Sequence, residues 1–439
     1  MTAWRRSSLG MLALHACYDG LFLLFLVVGL PYFLVRVLRD PAVRASLGGR
    51  FGRGPRRTGD RPCVWIHGVS VGELKAARLL IERLAGARPG HQIVVSSTTS
   101  AGLALARRLF HRHLVIQFPL DLSWIIRTVL DRVRPDLIVL VELEIWPNLL
   151  HEAHRRGIPV AVVNGRVSAR SFRGYRLLAQ LLPQFELIAR YAVQNEEYAS
   201  RLRVLGVPAG QIVTTGNLKY DTLSTELPAE QLARARAELG LLPEERVVVA
   251  GSTHAGEEEA LLALLPAFER ICPRVRLLLA PRHVERAAEV VRAVERAGRA
   301  AARLTALRAG RGPPPSGSVV VADTIGELET FYGLADVVFV GGSLIRKGGH
   351  NMLEPAALGK PTLFGPRTEN FAAEVRLLCG REGGRQVAGV EELGGEIGRL
   401  LADPEAARAL GERGRAAVAS ARGGTGRSLE LVLSLLDRR

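Results

Sequence analysis

The chain of 439 residues has little of several things that would narrow its function quickly. Its four cysteines, Cys17, Cys63, Cys272 and Cys379, include no CxxC pair. That spacing argues against a zinc site or a disulfide framework and fits a reducing compartment. Aromatic residues make up only 5%, and no zinc finger, RNP motif or helix-turn-helix pattern is present, so nucleic acid is not an expected partner. There is no GxxxxGK[ST] loop, against a Walker-type NTPase, and no GxGxxG after any apolar run, against a dinucleotide enzyme. No DxD pair exists to hold a metal on a diphosphate; the nearest pattern is ExE at Glu142 and Glu144. Lysine is scarce as well. Only Lys75, Lys219, Lys347 and Lys360 occur among 59 basic residues, so the net charge of +16 reflects an arginine habit and says little about function. A lysine kept in such a chain marks a place where a compact point charge is a candidate requirement.

The composition, 48% hydrophobic and 23% charged, is that of a globular protein, and the length suits two domains. Residues 21–35, LFLLFLVVGLPYFLV, carry no charge, and the apolar segment extends from about Leu9 to Leu38. Its uncharged core falls short of the ~20 residues that cross a bilayer. No small-x-small cleavage site follows; eight arginines between Arg36 and Arg61 follow instead, against Asp40 and Asp60. Residues 1–40 therefore read as an uncleaved anchor, either spanning the bilayer or lying in one leaflet. Residues 41–61 read as a basic, flexible tether on the cytoplasmic side, attracted to an anionic membrane surface.

Beyond residue 61, short β-branched runs alternate with longer amphipathic segments. Seven runs, from CVWIH (63–67) to QIVTTG (211–216), precede a stretch at 221–235; five more, from RVVVAGS (246–252) to PTLFGP (361–366), come after it. Such alternation predicts α/β architecture with parallel sheets, here two doubly wound domains at 62–225 and 226–439. Ligands in these folds bind beyond the carboxyl ends of the strands.

The residues after the runs are the ones with chemistry. HGVSVGELKAA (67–77) places Glu73 three residues after Ser70. That spacing is a capping box, and equally a carboxylate at a strand-to-helix turn, able to take a proton. VELEIWPNLL (141–150), NGRVSARSFRGY (164–175) and TGNLKYD (215–221) complete the first half; the arginines of the second motif are either phosphate ligands or a solvated face. In the second half, Gly251, Ser252 and Thr253 stand at a helix start, where N–H groups favour an anion. Pro281 and Arg282, Thr324 to Glu327, and Asn351 to Glu354 come after three further runs. Arg282 can grip a phosphate, with His283 as a further donor, and Glu354 can accept the hydroxyls of a ribose. Singly each is explained by helix capping; together, on strands of one domain, they favour a nucleotide site.

In combination, SVGE, PLD (119–121), ELEIWPN, NGRVSARS, GNLKYD, STHAGEEE, PRHVER, DTIGEL, GGSL, GGHNMLEP and GPRTENF resemble the 3-deoxy-D-manno-octulosonic acid (Kdo) transferases of lipopolysaccharide synthesis, over nearly the whole chain. Met352 stands where that family often has proline and Gly251 where it often has asparagine. The resemblance implies two Rossmann-like domains facing a cleft, the glycosyltransferase-B arrangement, with the first binding acceptor and the second a CMP-sugar. It implies CMP-Kdo as donor, a phosphorylated, acylated glucosamine disaccharide as acceptor, no cofactor or metal, and a place at the cytoplasmic face of a bacterial inner membrane. It assigns the catalytic base to Glu73, auxiliary roles to Glu142 (or Glu144) and Lys219, and CMP contacts to Pro281, Arg282, Ile325, Gly326, Glu327, Asn351, Met352, Leu353 and Glu354. A nucleotide-sugar 2-epimerase, a transferase with another donor, and a membrane-tethered lipid-binding module are the rival readings.

Overall fold

The computed structural model describes residues 8–181, 184–310 and 317–438; the first seven residues of the expected anchor lie outside the described residues. The chain forms two compact units, Met1–Thr222 together with Arg422–Arg439, and Leu223–Ala421.

The first unit is built on seven strands: β1 (Cys63–His67), β2 (Gln92–Ser97), β3 (Leu114–Gln117), β4 (Leu137–Val141), β5 (Val160–Gly165), β6 (Arg190–Val193) and β7 (Ile212–Thr214). They lie in the order β3-β2-β1-β4-β5-β6-β7, and every pairing is parallel. The second unit carries β8 (Arg246–Thr253), β9 (Val275–Pro281), β10 (Ala301–Arg303), β11 (Val319–Val321), β12 (Val337–Val340), β13 (Thr362–Phe364) and β14 (Arg385–Gln386). Their order is β10-β11-β9-β8-β12-β13-β14, again all parallel. Both faces of each sheet are covered, which is why runs such as LIVLV and VVFV are apolar at every position and fully buried. The strand order reverses between β1 and β4 in one sheet and between β8 and β12 in the other. Those two points are where an open sheet of this kind leaves a crevice.

All twelve apolar runs are strands. The two strands that the sequence pattern did not announce, β10 and β14, are edge strands of three and two residues with sequences AAR and RQ. Too short and too polar to stand out, they pair at the rim of a sheet already specified by its centre.

Eight of the helices bear on the site and on the amino-terminal segment: α1 (Ser8–Arg39), α2 (Pro41–Arg50), α3 (Val71–Ala87), α4 (Pro147–Arg155), α5 (Leu218–Asp221), α6 (Glu257–Ile271), α7 (Leu353–Ala357) and α8 (Gly424–Leu436). Within α1, Ala13–Arg39 is long and apolar enough to cross a membrane. Two expectations are corrected by the helices. The segment read as a flexible tether is folded: α2 is helical, and Arg57 is buried, its guanidinium bonding the carbonyls of Val133 (2.6 Å) and Arg134 (3.1 Å) and the Gln92 side chain (2.9 Å). An arginine with its donors matched by carbonyls holds a loop in place as a solvated one does not. The C-terminal segment, placed by sequence in the second domain, belongs to the first unit. Leu431, Val432 and Leu435 of α8 join the core that also holds Leu74, Ile81 and Val139. The carboxylate of Asp221 accepts the N–H groups of Gly423 (2.6 Å) and Thr425 (2.5 Å) at the start of α8, as an N-terminal acid should.

At the amino-terminal ends of β8, β9 and β11, Arg276 is almost fully buried and pairs with buried Glu245 at 2.6 Å, while also donating to Ser318 Oγ at 2.8 Å. Removing one member of such a pair strands the other charge in a dry site, at a cost of about 3–5 kcal/mol. Arg276→Ala is therefore expected to lower the unfolding free energy measured in urea by that order, and an Arg276→Met, Glu245→Leu double variant to recover most of the loss.

Candidate active site

Glu73 occupies the first turn of α3, directly after β1, one of the two strands at the reversal point of the first sheet. Ser70 caps the helix as expected, while the Glu73 carboxylate turns back to the residue before the cap. Ser70 Oγ accepts the Glu73 N–H at 3.3 Å and donates to Glu73 Oε1 at 2.7 Å, and the Val69 N–H donates to Oε2 at 2.7 Å. The same contacts fix the carboxylate at the point where the strand order reverses. It is buried, and burial pushes its pKa above the ordinary value; the bonds from Ser70 and Val69 pull it down in part, and Glu142 pushes it up again.

Glu142 and Glu144 come after β4, the neighbouring strand. Glu142 sits in the left-handed region at φ 63°, a strained place for a non-glycine residue, and its carboxylate meets Lys219 Nζ of α5 at 3.1 Å. Burial pushes Glu144 up to about 7, and Glu73 and Glu142 add to the shift. Three acids and one lysine thus converge from the ends of β1 and β4 and from α5. Asn164, at the end of β5 with φ 56°, accepts the Leu218 N–H at 3.0 Å and so places the lysine's helix. At the ends of β1, β3 and β4 lies a ring cluster that sequence reasoning missed. His67 stacks on Phe118 at 3.8 Å, and Phe118 meets Trp146 at 4.8 Å. Burial drives the His67 pKa down to about 3, so the ring is neutral packing, bonded to Ser96 Oγ at 2.9 Å. Arg166, Arg170 and Arg173 are exposed.

In the second unit the expected nucleotide residues divide. Pro281, Arg282, Ile325 and Gly326 line one pocket of about 120 Å³ together with Ser252 and Phe331, at the ends of β8, β9 and β11. Glu327 turns to Arg308 (2.6 and 3.0 Å), and Asn351 Nδ2 bonds Glu354 Oε1 at 3.0 Å. Met352 and Leu353 are buried at the start of α7, which leaves their backbone rather than their side chains for a ligand. Gly251 has a packing reason: a Cβ there would lie 2.2 Å from the Tyr332 hydroxyl, so the tyrosine fills the space of any side chain at 251.

Two features here were not legible as a site. His254 and His350 share a hydrogen bond between their Nε2 atoms at 2.9 Å, with His283 edge-on to His254 at 5.8 Å. Such a bond requires one neutral ring, and both rings are held below the usual histidine value: by burial first, then by Lys347 for His254 and by Arg282 for His350. Glu257 is wholly buried and accepts the N–H groups of His254 (3.0 Å), Gly342 (2.7 Å), Ser343 (3.1 Å) and Leu344 (3.0 Å). It binds the GGSL turn after β12 to the start of α6. Glu258 holds Thr253 (2.8 Å) and Arg286 (2.9 Å), and Glu259 closes the cap on Gly256 (2.8 Å). Each of the three consecutive glutamates thus has a separate partner, and those of Glu257 after β12 are brought near only by the fold.

A sequence model of the 3-deoxy-D-manno-octulosonic-acid transferase family matches residues 45–222. The chain is 32% identical, over 96% of its length and 98% of the relative's, to the 3-deoxy-D-manno-octulosonic acid transferase of Haemophilus influenzae. The chain belongs to that family. A transferase of the same name from Bordetella pertussis is 34% identical over 84% of this chain and 86% of its own. As members of this family are glycosyltransferases, so is this enzyme. Among solved structures, the UDP-GlcNAc 2-epimerase of Neisseria meningitidis matches with a TM-score of 0.57 at 12% identity, over 86% of this chain and 100% of its own. That likeness shows the glycosyltransferase-B class of fold and nothing of the reaction.

The buried acids make distinct demands that measurement can separate. Replacing Glu257 by Gln removes one acceptor oxygen from four N–H groups, and unmet buried donors cost about 1–3 kcal/mol. Amide exchange at Gly342–Leu344 is expected to accelerate while β12 stays protected. For Glu144, whose pKa rises on folding, the stability it contributes is full below about 4.5 and is lost as pH rises through about 7. Glu144→Gln is therefore expected to gain on the wild type as pH is raised from 5 to 8, read by urea midpoints at both values.

Proposed function

We propose that the enzyme is an inverting glycosyltransferase that moves Kdo from CMP-Kdo to the phosphorylated, acylated glucosamine disaccharide precursor of lipid A (lipid IVA), in lipopolysaccharide biosynthesis. The observation that carries the reading is the Glu73 carboxylate. It is fixed at the reversal point of the first sheet by Val69 and Ser70, and its basicity is raised by burial and by Glu142. A sugar hydroxyl is a poor nucleophile, so a positioned carboxylate draws off its proton while oxygen attacks the anomeric carbon and CMP departs. A base with a pKa above the ordinary carboxylate value accepts that proton more readily.

In this reading Lys219, oriented by Glu142, holds the donor's carboxylate or its leaving phosphate. Arg282, His283 and the backbone N–H groups after β8 and at the start of α7 meet the charge of the departing phosphate. The pocket lined by Pro281, Arg282, Ile325 and Gly326 takes part of the nucleotide, and Asn351 and Glu354 its ribose. The exposed arginines after β5 suit the acceptor's phosphates. The apolar α1 and the arginines beyond it support a position on the cytoplasmic face of the inner membrane, next to the lipid acceptor.

The test is transfer in detergent with CMP-Kdo generated in situ and the product mass read out. Glu73→Gln is expected to lose at least about 100-fold in turnover with an unchanged circular-dichroism spectrum. Substantial turnover by that variant removes Glu73 as the base. Arg282→Ala is expected to raise KM for the donor.

A further inference from the structure

The amino-terminal helix carries a polar foot inside an apolar sequence. His15 Nδ1 bonds Asn148 Oδ1 at 2.9 Å, and its ring stacks on His151 at 3.9 Å. Asp19 Oδ1 accepts from Asn148 Nδ2 at 2.7 Å and from the Ser123 N–H at 3.1 Å. Tyr18 bonds the carboxylate of Asp121, which is buried and also accepts the N–H groups of Asn148 (3.0 Å) and Leu149 (2.9 Å). The PLD and WPN motifs therefore form a socket for residues 15–19 of α1. After this foot the helix emerges: Leu21, Leu24, Phe25, Val28 and Leu38 are all more than half exposed.

The chain then returns to the same place. The carbonyl of Arg50, at the end of α2, accepts the Leu120 N–H at 2.9 Å, and its guanidinium reaches the Thr98 carbonyl at 2.8 Å. Leu120 and Ser123 stand three residues apart, so both ends of the apolar segment are fastened to one side of the first unit. Were the helix to cross a bilayer, Arg39 would lie on the far side. The ten residues of α2 rise only about 15 Å, half of the ~30 Å hydrocarbon core, and could not bring Arg50 back.

We infer that α1 is latched by residues 15–19 to Asp121, Asn148 and Ser123, and that its apolar stretch lies within a single leaflet of an anionic bilayer without crossing it. Such large exposed apolar side chains need a covering phase, and Arg36, Arg39, Arg44, Arg53 and Arg56 give the adjoining surface the charge that anionic headgroups match. The inference rests on reading the helix as a membrane anchor, and the test separates the two.

The full-length protein carrying Cys17→Ser and Arg39→Cys is added to preformed phosphatidylethanolamine–phosphatidylglycerol vesicles and floated. It is then treated with a membrane-impermeant maleimide before and after detergent, and the peptide containing residue 39 is read by mass. Flotation with equal labelling before and after detergent is the expected result. Failure to float overturns the bilayer as the covering phase. Flotation with labelling only after detergent overturns the one-leaflet placement and leaves membrane attachment standing. For the latch, Asp19→Ala is expected to speed amide exchange at Ser123 about tenfold in the vesicle-bound protein, with α3 unaffected. An unchanged Ser123 rate overturns the latch.

Discussion

Each sheet places a carboxylate in the first turn of the helix that follows a strand at its point of reversal, β1 in one and β8 in the other, and the N–H groups that reach it bear on what it becomes. Glu257 receives four from two separate segments and serves as a fastening between α6 and the turn after β12. Glu73 receives one backbone N–H and a serine hydroxyl, both from its own turn. Burial pushes both carboxylates above the ordinary value; Glu257 has four N–H groups to offset that in part, while Glu73 has fewer donors and is pushed further by Glu142. The rest of both units depends on this arrangement. Within each sheet the parallel strands bring the helix starts together, and the helix starts determine which acids are ties and which remain free for chemistry.

The electrostatics around Glu73 are internally balanced. Lys219 neutralises Glu142, so the cluster of three acids is not left with three unpaired charges. Glu144 shows its own burial first, and then the repulsion of Glu73 and Glu142, as a raised pKa. A left-handed Glu142 at the strand end shows that backbone strain is tolerated there. In the second unit Ser252 adopts the same unusual conformation near the end of β8, beside the pocket of Arg282. Strain at comparable positions in both sheets is what a fold specialised at its strand ends would show.

The sheet centres were legible in the sequence because strands buried on both faces must be apolar at every position. The edge strands β10 and β14 were not, since pairing on one side asks little of the side chains. Glu73, Glu142 and Lys219 were legible as candidates because their turns carry local signals. Glu257 was not separable from Glu258 and Glu259, since its partners in the turn after β12 lie 85 residues or more away. Asp121 and Asn148 were visible only as parts of motifs; the helix they hold is over a hundred residues distant. Fold alone would not have chosen the reaction, as an epimerase shares the architecture at 12% identity.

The first unit is discontinuous: α8 closes its core only after the entire second unit has been made. On the ribosome the apolar α1 emerges well before the last apolar side chains that cover the first sheet. Throughout synthesis of residues 223–421, the face that Leu431, Val432 and Leu435 later occupy stays open to water. The second unit, continuous in sequence, has all its strands before that point and can fold as a unit. Maturation thus runs against the direction of synthesis: the unit that is begun earlier is the one completed last.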